Sequence, residues 1–65
     1  MYKSYHVKFE IIATKDSKPF YRTYCFSCPG GKRNAFKIAT DIILDYIIDM
    51  GYYIGSVYKI KEIKA

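Results

Sequence analysis

The sequence is poor in the groups that carry most enzyme chemistry. It has one histidine, His6, and two cysteines, Cys25 and Cys28. A structural zinc ion needs four ligands, and these residues fall short of four unless two copies of the chain meet. Acidic residues are scarce as well, with six Asp and Glu against eleven Lys and Arg. Asp41, Asp45 and Asp49 step at four-residue spacing, so they lie about a turn apart on one helix face. They share one solvated setting, whereas an acid and a base need contrasting ones. A chain of 65 residues also lacks the depth for a pocket of ordinary size. No catalytic residue, metal site or cofactor is expected, and the protein is not expected to be an enzyme.

Long apolar runs are missing too. No stretch reaches the roughly 18 apolar residues of a membrane span, because the three aspartates interrupt the best candidate. The first residues, MYKSYHVKFEIIA, carry charges throughout and lack the apolar core of a signal peptide. A cytoplasmic protein with no membrane association is expected. Proline is confined to positions 19 and 29, and glycine to 30, 31, 51 and 55. That leaves no linker, and no internal repeat is visible, so residues 1–65 read as a single small domain.

What the chain does have is apolar surface and positive charge. It is 51% hydrophobic and 18% aromatic, with eight tyrosines, which argues against disorder. A domain this small buries only about 60% of its unfolded surface. Apolar side chains are left that one helix does not cover, so a homodimer or an obligate partner is expected. The net charge of +5 favours polyanion partners, nucleic acid among them. It serves solubility equally well.

Hydrophobic periodicity sets the elements. Residues 2–13 alternate, with Tyr5, Val7, Phe9, Ile11 and Ala13 on one side, as in a half-buried strand. Residues 14–19, TKDSKP, carry turn chemistry. Residues 20–28 alternate again, with Phe20, Tyr24, Phe26 and Cys28 against Tyr21, Thr23, Cys25 and Ser27. Pro29-Gly30-Gly31 breaks the sheet. A helix follows over about residues 32–50, with Ala35, Ala39, Ile42, Ile43, Tyr46 and Met50 on its core face. Gly51 ends it, since glycine takes positive φ at no steric cost. A last strand runs over residues 52–63, with Gly55-Ser56 as an expected bulge. Lys64 and Ala65 are expected to fray. The fold class is α+β, in the order β-β-α-β. The expected sheet is three-stranded and antiparallel, in order 2-1-3, with the helix on one face and the other face open.

Four features are candidates for function. Cys25-Phe26-Ser27-Cys28 has the spacing of a redox pair or half a zinc site. Its cysteines fall on opposite faces of a strand end, however, and read as free thiols. Pro29-Gly30-Gly31-Lys32-Arg33 has the parts of an anion site without the P-loop spacing. The helix carries Lys32, Arg33 and Lys37 at its N-terminal end and the aspartates toward its C-terminal end. Both groups oppose the macrodipole, by about 0.3–1 kcal/mol each. Leu44 and Ile48 fall inside this polar sector, where two adjacent aliphatics mark an interaction patch. Finally, the open sheet face is expected to carry His6, Lys8, Tyr21, Thr23, Tyr53, Lys59 and Lys61, a mixture that stacks bases and pairs with phosphates.

These features lead to two expectations. The first is a non-enzymatic protein-interaction module, a regulator or inhibitor. It would bind a partner protein, or a second copy, through Leu44, Ile48, Asp41, Asp45 and Asp49. Size and composition alone suit an accessory protein of a phage or mobile element. The alternative is a small basic nucleic-acid-binding protein using Lys32, Arg33, Lys37, Lys59 and Lys61.

Overall fold

In a computed structural model, described here for residues 1–64, the chain forms β1 (Lys3–Ile12), β2 (Phe20–Cys28), α1 (Gly31–Met50) and β3 (Ile54–Ile63). Of the expected frayed tail, Ala65 lies outside the described residues. The strands make one antiparallel sheet in the order β2-β1-β3. The β-β-α-β reading and its strand order hold.

β1 is the centre of the sheet, paired on both sides, and its alternation is the cleanest. Tyr5, Val7, Phe9 and Ile11 are buried, and Ala35, Ala39 and Ile43 of α1 pack over them together with Cys28. The turn before β2 closes on itself. Ser17 N–H donates to the Thr14 carbonyl at 3.1 Å, and the Thr14 N–H donates to Ser17 Oγ at 2.9 Å.

Both helix ends use glycine. Gly30 and Gly31 take φ of 89° and 77°, which lets the chain leave β2 and start α1 at once. Asn34 Nδ2 donates to the Pro29 carbonyl at 2.7 Å and ties down this corner. At the far end Gly51, with φ 69°, forms a Schellman motif. Tyr52 N–H donates to Ile47 O at 3.0 Å and Gly51 N–H to Ile48 O at 3.3 Å. Tyr53 N–H then reaches the carbonyls of Ile12 and Ala13, stitching the connection to the end of β1.

Several details differ from the sequence expectation. β3 starts at Ile54, because Tyr52 and Tyr53 are spent on the helix exit. The bulge is not at Gly55-Ser56. Lys8 faces Lys59 and Phe9 faces Val57, so Tyr58 is the extra residue. Gly55 has another reason to be glycine. A Cβ there would lie 2.6 Å from Ile47 Cδ1 and 3.0 Å from Ile43 Cγ1. α1 comes down onto β3 at this point and packs chiefly against that strand. Met50 is 51% exposed and is not part of the core face; it is the last residue of α1. Ile38 and Ile47 are half-buried instead.

Candidate functional site

Three surfaces remain once the core is assigned. The first is the sheet face turned away from α1. Since Val7, Phe9 and Ile11 face the helix, His6, Lys8 and Glu10 face outward, and the register carries their neighbours with them. One row holds Cys25, His6 and Lys61; the next holds Thr23, Lys8 and Lys59; the next holds Tyr21, Glu10 and Ser56. The bulge turns Tyr58 to this same face beside Lys59.

Lys8 lies over two rings. Its Nζ lies 4.9 Å from the centroid of Tyr21 and 5.7 Å from that of Tyr58. The two rings meet edge to face at 5.1 Å. Tyr21 hydroxyl donates to Glu10 Oε2 at 3.0 Å. That bond, with smaller contributions from desolvation and the Glu10 charge, raises the Tyr21 phenol above its ordinary value. His6, Lys8, Lys59 and Lys61 line a shallow depression on this face. Tyr53, expected here, lies on the connection before β3 and is not in the sheet. Tyr58, not expected here, takes a place on this face. A bulge inside an alternating run leaves no local mark, and a strict period of two puts Tyr58 on the wrong side.

The second surface is the outer side of α1. Ile48 is 76% exposed and Leu44 49% exposed, and Asp41, Asp45 and Asp49 are exposed around them. No aspartate of this stripe has an ion-pair partner among the described residues, where the ion pair found is Lys3–Glu62 at 3.7 Å. Lys32, Arg33 and Lys37 are exposed at the other end of the helix. They lie on the helix side of the sheet, whereas Lys59 and Lys61 lie on the open side. The residues expected to hold an anion therefore form two groups on opposite faces.

The third surface is a groove of about 280 Å³ between α1 and β2, lined mainly by Phe9, Arg22, Tyr24, Ile42, Ile43 and Tyr46. It exists because α1 leans toward β3 and leaves the middle of the inner side of β2, at Arg22 and Tyr24, uncovered, while Phe20, Phe26 and Cys28 still pack on the core. Tyr24 is 52% exposed there.

Cys28 is buried and Cys25 exposed. They stand on opposite faces, as their places in the alternating run require. Among the described residues no group of three or more His, Cys, Asp or Glu comes together, and no helix is long and apolar enough to cross a membrane. Comparison of the chain with known protein families, with curated proteins and with solved structures finds no match.

Proposed function

We propose that this is a small, non-enzymatic binding protein whose open sheet face takes a single-stranded nucleic acid. One observation carries the reading. Lys8 and Lys59 face each other across β1 and β3, and Lys61 follows opposite His6. Like charges directly opposite one another destabilise a sheet. No carboxylate forms an ion pair with these lysines among the described residues. A phosphate backbone lying along the rows supplies the missing negative charge. Tyr21 and Tyr58 flank Lys8 and offer ring faces to bases, which gives affinity without sequence preference.

The test is fluorescence anisotropy with a labelled single-stranded homopolymer over a range of salt. With Lys8, Lys59 and Lys61 on phosphates, the slope of log K against log salt is about −2. Lys59→Glu with Lys61→Glu abolishes binding, and Lys32→Glu with Arg33→Glu leaves most of it. Equal loss in both double variants would mean that net charge alone is being read, and the face would not be a site.

A second reading is supported by a different observation. Ile48 and Leu44 are exposed among carboxylates that pair with no cation among the described residues. This surface suits a partner protein with an apolar socket rimmed by basic residues, and a regulator or inhibitor would act through it. Leu44→Asp with Ile48→Asp abolishes such a complex and leaves nucleic-acid binding unchanged.

A further inference from the structure

The two edges of the sheet are not alike. β3 is blunted: it carries Lys59, Lys61 and Glu62 and is bent by the bulge at Tyr58. Lysines and bulges are the usual means of keeping an edge from pairing. β2 has neither. Its nine residues, FYRTYCFSC, hold a single charge, Arg22, and pair without a break against β1. Among the described residues no strand pairs with its outer row of backbone N–H and C=O groups, where the nearest bond is the one Arg22 Nη1 donates to the Tyr21 carbonyl at 3.3 Å, and six of the nine residues are exposed. Proline lacks the N–H that a ladder needs, and Pro19 and Pro29 stand immediately outside the strand. They leave the nine residues between them available for pairing.

We propose that β2 pairs antiparallel with β2 of a second copy, about a two-fold axis at Tyr24, to make a six-stranded sheet. The occupant is argued from the strand itself. A two-fold at Tyr24 uses the whole length between the prolines. It sets Phe20 opposite Cys28 of the partner subunit, Arg22 opposite Phe26 of the partner subunit, and the two Tyr24 side chains together. The only charge is two residues from the axis, so the two Arg22 side chains do not oppose each other. Arg22 already lies over an aromatic ring, with its Cζ 5.0 Å from the Phe20 centroid. In the dimer it faces a second one.

The placement of α1 agrees with this joint. The helix leans away from β2, so two helices do not collide across the axis, and the two grooves beside Tyr24 merge into one enclosed apolar space. A stable dimer buries about 800 Å² per partner, about one sixth of this chain's 4906 Å². The β2 edge and the adjoining groove together have to supply that area. The inference does not depend on what the open face binds.

The test combines solution mass with a chemical ruler. Sedimentation equilibrium of the full, nucleic-acid-free chain in high salt is expected to give twice 7.6 kDa. Cys25 is exposed and stands one residue from the axis. The strand rise and spacing put the two Cys25 side chains about 8 Å apart. A short bis-maleimide therefore links them, and Cys25→Ser removes the link. Tyr24→Lys places a charge on the axis and returns the mass to 7.6 kDa, with an unchanged far-ultraviolet circular dichroism spectrum. Should that variant unfold, the cross-link in the unaltered protein decides the matter alone. A monomer at high protein concentration overturns the inference. So does a dimer that gives no Cys25 link, or one that is lost in Leu44→Asp with Ile48→Asp and kept in Tyr24→Lys.

Discussion

Tyr5 is fully buried, and its hydroxyl has no hydrogen-bond partner among the described residues. The ring earns its place, stacking obliquely on Phe26 at 6.2 Å and packing against Cys28 and Ala35. The hydroxyl does not. An unpaired buried polar group costs about 1–3 kcal/mol, and removing it without changing shape is neutral or stabilising. Tyr5→Phe is expected to raise stability by about 1 kcal/mol, seen as a higher urea midpoint at constant m-value. A lower midpoint would mean that the hydroxyl is satisfied, by water for example. The position of Tyr5 on the inner face was legible in the alternation of residues 5–11. The fate of its oxygen was not, because that depends on what the helix brings near it. Met50 shows the same limit, since helical periodicity placed it on the core side but could not tell that the final residue of the helix stays half exposed.

The contact between α1 and β3 turns on a single missing side chain. Gly55 is opposite Ile11 on the inner face, and the space its Cβ would fill is taken by Ile47 and Ile43. Gly55→Ala forces the helix away or pushes Ile47 off its rotamer, at a cost of about 1–3 kcal/mol. In an Ile47→Ala background the same change is expected to cost much less. A double-mutant cycle on denaturant unfolding measures the difference, and simple additivity would show that the helix does not sit on Gly55. The sequence marked this glycine as special but suggested a bulge. Glycine in a strand signals either a bulge or a close approach, and only the path of the helix decides between them. Where punctuation was unambiguous, element ends were readable to within a residue or two. Pro19 and Pro29 bound β2, and Gly51 stops α1. The charge order of α1 was equally legible, with no acid in its first turn and no base in its last.

At the scale of the molecule, faces matter more than residues. The lysines of the open face, and their separation from Lys32, Arg33 and Lys37 on the helix, were identifiable from periodicity, but their direct opposition across two strands needed the register. That opposition makes stability and binding pull against each other. In the free protein Lys8 and Lys59 repel, and their cross-strand arrangement costs about 0.2–1 kcal/mol. Lys8 is held by its two rings, so Lys59 is the one to remove. Lys59→Gln is expected to stabilise the free protein by that amount, seen as a higher urea midpoint at constant m-value. The same change is expected to weaken single-strand binding and to reduce the salt slope by about 0.7, the share of one phosphate contact. Added salt should act in the same two directions. Between low and physiological ionic strength the screening length falls from about 30 to about 8 Å, which steadies a fold with a net charge of +5 while releasing its ligand. If Lys59→Gln instead lowers stability and leaves the slope unchanged, the lysine supports the sheet and its charge serves no anion.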